Sequence, residues 1–144
     1  MANEALQTSK QPHIKQIGEW LKLMGLGEKI KLERIGKSDS FGLDITLKND
    51  KTLPIADLGF GLSQVLPVLT QCSFSPENSI LLFEQPELHI HPKAQGALTE
   101  IFAQIITSEN CQLLVETHSP ELLRSAFRLL RNKKLKLDDP VIYK

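Results

Sequence analysis

In Ser79-Ile80-Leu81-Leu82-Phe83-Glu84-Gln85-Pro86-Glu87-Leu88-His89-Ile90-His91-Pro92, an unbroken apolar run gives way within one residue to acid, amide, proline and acid. Four apolar residues without polar alternation suit a strand covered on both faces, as in the middle of a parallel sheet. Open α/β sheets bind ligands at the carboxyl ends of such strands, so Glu84 stands where a carboxylate can reach a metal or a phosphate. Pro86 stops the strand, and Pro92 suits the first position of a helix, where its missing N–H costs nothing. Taken alone, the same residues also describe an ordinary strand end with solvated Glu84 and Glu87.

Working outward, the chain before this strand contains Asp57-Leu58-Gly59-Phe60-Gly61-Leu62-Ser63-Gln64-Val65-Leu66-Pro67-Val68-Leu69. Two glycines at alternate positions let a backbone approach a ligand closely, and a helix start led by serine offers free N–H groups and the positive end of a dipole. Because proline is tolerated only near a first turn, Pro67 predicts a helix that begins at Leu62 or Ser63, with both glycines in the loop. A tight turn is the plainer reading of Gly-x-Gly.

Beyond the strand, Ala94, Ala97, Leu98, Ile101, Phe102 and Ile105 form one broad stripe, which predicts a helix from Pro92 to about Thr107 packed on the sheet. Cys111 to Val115 reads as a second short buried strand, ending in Glu116-Thr117-His118-Ser119-Pro120-Glu121. Ser119 as N-cap, Pro120 at the first helical position and Glu121 in the first turn mark a helix start. His118 is thereby placed between a strand's carboxyl end and a helix's amino end. The next helix sets Arg124, Arg128 and Arg131 on one face, opposite Leu122, Leu123, Ala126 and Leu130, with Lys133, Lys134 and Lys136 extending the basic run. Such a face could contact nucleic acid, although cations near a helix C-terminus are also favoured by the dipole alone. Val141 to Lys144 reads as the beginning of a strand.

Toward the N-terminus, residues 1–12 are polar and expected to be flexible. Ile14, Ile17, Leu21 and Met24 recur at helical spacing between His13 and Met24, and Gly25 and Gly27 end that helix. Residues 30–48 read as a strand pair: Ile30 and Leu32, with Ile35 at its margin, then Phe41, Leu43, Ile45 and Leu47 in strict alternation. Gly36-Lys37-Ser38 between them is not a phosphate-binding loop. Lys31 stands where its earlier glycine would be needed, and a strand follows instead of a helix. Gly36 to Ser40 therefore reads as a turn.

At 144 residues the chain is large enough for one domain with its own core, and 41% hydrophobic with 24% charged residues is the composition of a soluble globular protein. Equal numbers of basic and acidic residues, 17 of each, give no general affinity for polyanions. Cys72 and Cys111 are too few for a disulfide framework, and no apolar run has membrane-spanning length or the form of a signal peptide. A cytoplasmic protein with no membrane partner is expected. His89 and His91 invite a metal reading, but no third ligand stands at a sensible spacing, so a structural or hydrogen-bonding role is preferred.

In register and in this order, the three stretches resemble the C-terminal lobe of ABC-type ATPases in the branch that holds SMC, RecF and OLD-nuclease ATPases, especially bacterial AAA-type proteins with a Glu-Gln-Pro-Glu Walker B. Asp57 to Leu69 resembles the signature segment, Ile80 to Gln95 the Walker B and D-loop, and Glu116 to Ser119 the switch histidine. The resemblance implies a head-to-tail dimer that buries two ATP molecules. By it, Glu84 holds Mg2+, Gly59, Gly61, Ser63 and Gln64 meet the γ-phosphate of nucleotide bound mainly by the other protomer, His118 bonds the γ-phosphate, and His91 lies near the dimer-crossing D-loop.

Two departures from that family bear on function. Gln85 occupies the place of the usual catalytic glutamate; it can orient water but cannot take a proton, which leaves Glu87 as the nearest candidate base. No Walker A is present, so ATP hydrolysis is not expected of the chain alone and requires a Walker A-bearing lobe. The expected fold is α/β: a partial P-loop, ABC-type core over residues 13–144 with a mainly parallel sheet flanked by helices and a small antiparallel strand pair near the N-terminus. The expected function is one lobe of an ATP-driven dimeric switch in DNA maintenance or anti-phage defence, working with a nuclease or other effector. A non-catalytic module that binds protein or nucleic acid is the alternative, and a small metal-dependent hydrolase built on Glu84, Glu87, His89 and His91 is a third reading.

Overall fold

A computed structural model describes residues 12–37 and 39–135, which fall into two compact units that meet between Phe74 and Ser75. Of residues 1–12, expected to be flexible, 1–11 lie outside the described residues, as does the strand at Val141 to Lys144, whereas Pro12 is already helical.

The first unit opens with α1 (Pro12–Met24), whose buried face is Ile17, Gly18, Trp20, Leu21 and Met24. Gly25, at φ 73°, ends it. The Gly25 N–H bonds to the Lys22 carbonyl and the Leu26 N–H to the Leu21 carbonyl at 2.9 Å, a Schellman closure. An antiparallel meander follows: β1 (Lys29–Arg34), β2 (Phe41–Thr46) and β3 (Thr52–Pro54), with Ile30 opposite Ile45 and Ile45 opposite Leu53. The expected strand pair is therefore a three-stranded sheet; β3, at three residues, is too short to show an alternation. Ile45, fully buried, anchors the covered face, whereas Phe41 and Ile35 are exposed. Gly36, at φ 61°, lies in the β1–β2 turn, closed by the Ile35 N–H on the Ser40 carbonyl, as the sequence implied.

A 3-10 turn (Ile55–Asp57) leads into α2 (Phe60–Phe74). This helix starts earlier than Pro67 suggested, so Gly61 belongs to its first turn while Gly59 precedes it. Proline removes the bond that the Ser63 carbonyl would receive. Against that loss stands the burial of Leu62, Val65, Leu69 and Cys72 along one side, each aliphatic side chain contributing about 1.5–3 kcal/mol.

The second unit is a strand–helix–strand unit followed by a helix: β4 (Ile80–Glu84), α3 (Pro92–Ser108), β5 (Gln112–Glu116) and α4 (Pro120–Arg131). β4 and β5 pair in parallel, Leu82 opposite Leu114 and Glu84 opposite Glu116. Among the described residues this sheet has only two strands, so the larger parallel sheet expected from the sequence is not seen. Nor is β4 covered on both faces. Leu81 and Phe83 are buried, and Phe83 stacks on Phe102 of α3 with ring centroids 5.2 Å apart. Ile80, Leu82 and Leu114 on the opposite face are 66%, 63% and 60% exposed. An apolar run in the sequence therefore does not by itself establish burial on both faces of a strand.

α3 buries Ala94, Leu98, Ile101, Phe102 and Ile105, the expected stripe. α4 presses Leu122, Ser125 and Leu129 inward, leaving Leu123 and Phe127 exposed, so its buried face is rotated from the one expected. Gly96 allows α3 and α4 to approach: a Cβ there would stand 3.3 Å from Ser125 Oγ. No helix among the described residues is long and apolar enough to cross a membrane.

Candidate functional site

Two groups of residues carry the chemistry singled out in the sequence, one in each unit. In the first unit, the start of α2 is open: Gly59, Phe60 and Gln64 are exposed, and Gly61 and Ser63 are half-buried. A Cβ at Gly59 would meet nothing within 4 Å. Packing within the chain does not demand a glycine there, and a backbone bared in this way at a helix N-terminus suits the close approach of an anion.

In the second unit, the carboxyl ends of β4 and β5 hold the rest. Glu84 closes β4 with its side chain exposed and makes no hydrogen bond or ion pair with the described residues. Its register partner Glu116 closes β5 on the same exposed face, so two carboxylates share one sheet edge. Glu116 was not singled out in the sequence, although the parallel endings Phe83-Glu84 and Val115-Glu116 carry that signal. A carboxylate pair at a strand end favours a divalent cation through charge. Glu84, Glu87, His89 and His91 do not form the cluster of the metal-hydrolase reading: among the described residues no group of three or more His, Cys, Asp or Glu could hold a metal.

Gln85, next after Glu84, adopts φ 45°, a left-handed conformation that costs a non-glycine residue roughly 1–2 kcal/mol. Its N–H extends the parallel ladder to the Glu116 carbonyl at 2.8 Å, which holds it there. The turn that follows, with His89 also left-handed at φ 62°, carries Glu87 inward to 5% exposure. Glu87 Oε1 accepts from the Thr117 hydroxyl at 2.6 Å and from the His118 N–H at 3.3 Å; Glu87 Oε2 has no partner among the described residues. The nearest candidate base is thus turned away from solvent.

His118 is exposed, and its ring makes no hydrogen bond with the described residues. Ser119 caps α4 as expected, accepting from the Glu121 and Leu122 N–H groups at 3.1 Å each. It also donates to Gln95 Oε1 at 2.6 Å, and Gln95 Nε2 in turn donates to the Ile90 carbonyl at 3.0 Å. Gln95 therefore ties the turn after β4 to the turn after β5. His91 Nδ1 accepts from the Lys93 N–H at 3.3 Å and caps α3, the hydrogen-bonding role expected of it. On α4, Arg124 pairs with Glu121 at 2.8 Å and Arg128 Nη2 donates to Ser125 Oγ at 3.4 Å, so two of the three arginines are engaged within their own helix.

The family described as "AAA domain, putative AbiEii toxin, Type IV TA system" matches residues 26–124. The OLD nuclease of Thermus scotoductus is 28% identical over 99 residues, 66% of this chain and 19% of that protein. Protein ea59 of Escherichia phage lambda is 29% identical over 63 residues, 40% of this chain and 12% of its own length. The chain thus spans under a fifth of either curated relative. A solved chain from work on ATP-driven dimerization and DNA stimulated activation of SMC ATPases superposes with a TM-score of 0.59 at 12% identity, covering 86% of this chain and 92% of that one, a likeness of fold.

Proposed function

Because the chain belongs to this AAA-domain family, in the ABC-like branch of SMC and OLD-nuclease ATPases, we propose that it is the signature-and-Walker-B lobe of a dimeric ATP-driven switch, completed by a Walker A-bearing lobe. The observation that carries this reading is the carboxyl edge of the β4–β5 pair, where Glu84 ends one strand and His118 follows the end of the other, both exposed and without a hydrogen-bond partner among the described residues.

The residues fit ATP and Mg2+. Magnesium would supply positive charge against the negative charge that develops in phosphoryl transfer. Glu84 would hold the ion, directly or through water, with the negative charge of Glu116 beside it. His118 donates a hydrogen bond to a γ-phosphate oxygen. Gln85, fixed in its left-handed turn, orients a water through its amide without accepting the proton. Gly59, Gly61, Ser63 and Gln64 present backbone N–H groups and a helix dipole to a γ-phosphate held mainly by the opposite protomer of a head-to-tail dimer. Roles in DNA maintenance or anti-phage defence, in the cytoplasm and beside a nuclease effector, accord with the kinds of protein this chain resembles.

The test is ATP binding and hydrolysis by the chain alone and by the longest native polypeptide or complex that contains it. Activity only in the larger species, abolished by Glu84→Ala, is the expected result; absence of nucleotide binding in both would overturn the reading. A second reading, a non-catalytic interaction module, draws on the outer face of α4, where Phe127 is 55% exposed near Arg124 and Arg131. Salt-sensitive nucleic-acid binding indifferent to nucleotide would favour it.

A further inference from the structure

Glu87 is an ionisable side chain withdrawn from water in the middle of the candidate site, and its position differs from that of a general base. A base needs a path to the attacking water. Glu87 is instead 5% exposed, with Oε1 committed to two donors from the turn after β5. Those donors belong to Thr117 and His118, thirty residues away in sequence. The Thr117 oxygen goes on to accept from the Ser119 N–H at 3.0 Å, so Glu87, Thr117 and the α4 cap form one connected set. On its other side, the Glu87 carbonyl accepts from the Ile90 N–H at 3.3 Å and from Gln95 Nε2 at 3.4 Å. Gln95 is also the partner of Ser119, which closes the circuit. Among the described residues the imidazole of His118 has no hydrogen-bond partner, so what these contacts fix is the backbone from which it extends.

We propose that Glu87 is a positioning residue for His118. Its buried carboxylate holds the Thr117 hydroxyl and the His118 N–H, and so fixes the backbone that carries the imidazole just past the end of β5, the strand paired with the one that ends at Glu84. Hydrogen bonds to a charged, buried acceptor are the strong kind, and removing the acceptor leaves its donors unmet. The inference rests on the reading of this edge as a γ-phosphate site, and it changes the expected outcome at Glu87. A base would lose its function in Glu87→Gln. A positioning residue would keep it, because the amide oxygen of glutamine can accept from both donors.

The experiment compares Glu87→Ala, Glu87→Gln, Thr117→Val, His118→Ala and the Glu87→Ala/His118→Ala double variant in the ATP-hydrolysing assembly, alongside NMR of the 144-residue chain. Expected are a fall in kcat of about 10- to 100-fold for Glu87→Ala with little change in KM, recovery of most of that loss in Glu87→Gln, and a double variant no worse than His118→Ala. In NMR, the His118 amide proton resonates downfield and exchanges slowly in the parent and in Glu87→Gln, and loses both properties in Glu87→Ala. Thr117→Val, which removes one donor at nearly constant volume, gives the intermediate loss if Glu87→Ala does not fold. Equal inactivity of Glu87→Gln and Glu87→Ala would overturn the proposal in favour of a base, and so would a His118 amide indifferent to Glu87. If no assembly hydrolyses ATP, the ATPase reading falls, while the amide measurement still decides whether Glu87 positions His118.

Discussion

Ser119 uses its hydroxyl to capacity, accepting from two backbone N–H groups of α4 and donating to Gln95. Ser119→Ala removes all three bonds, and a loss of about 1–2 kcal/mol in urea unfolding is expected. That role was legible in Ser119-Pro120-Glu121 because capping is local. The partnership of Glu87 with Thr117 was not, because it depends on a parallel register that joins residues thirty apart. Gly27 is another residue whose reason is tertiary. The sequence marks it as a helix stop, yet a Cβ there would fall 2.5 Å from Ile45 Cγ2 in the core of the first unit. Gly27→Ala should therefore destabilise the chain by about 1–3 kcal/mol, read from the same unfolding curves. Lys22 and Glu28, 2.8 Å apart, join the end of α1 to the start of β1. Their hydrogen bond raises the Lys22 pKa above 10.5 and lowers the Glu28 pKa below 4.5, although burial opposes both shifts. The contribution of Glu28 is present above pH 4.5 and drains as pH falls through its lowered value, and that of Lys22 is lost only as pH rises through its raised one. Glu28→Gln should lower Tm at neutral pH and converge with the parent in acid.

At the scale of elements, β4 shows how far a pattern reaches. Its apolar run, its acid and the proline turn beyond it were readable, and so was the helix that follows. Coverage on both faces was not, because Ile80, Leu82 and Leu114 look outward from a two-stranded sheet. The two faces should answer differently to substitution. Leu81→Ala opens a cavity against the helix layer and costs about 2–5 kcal/mol, whereas Leu82→Ser, at an exposed position, stays within about 0.5 kcal/mol in the chain alone. Thermal unfolding of the two variants measures the contrast. α2 gives the complementary lesson: Pro67 argued for a late helix start, and the burial of Leu62 and Val65 won over that local preference.

At the scale of the whole molecule, the proposed site takes Ser63 from one protomer and Glu84 from the other. That arrangement makes a prediction no single-chain site would share. In the Walker A-bearing assembly, a Ser63 variant and a Glu84 variant, each inactive by itself, should regain ATPase activity when mixed, because the mixed dimer contains one intact site and one site bearing both defects. Continued inactivity of the mixture, with exchange of protomers verified by mass spectrometry, would count against the shared site. The outward-looking face of β4 and β5 has a further meaning. With three aliphatic side chains in water and a sheet of only two strands among the described residues, this face can be joined by another copy of itself as readily as by the partner lobe of the proposed assembly. Under that proposal, supply becomes a matter of stoichiometry: synthesis in excess of the partner lobe should send the surplus into aggregates or onto chaperones, so the amount of usable protein would be set by the scarcer lobe.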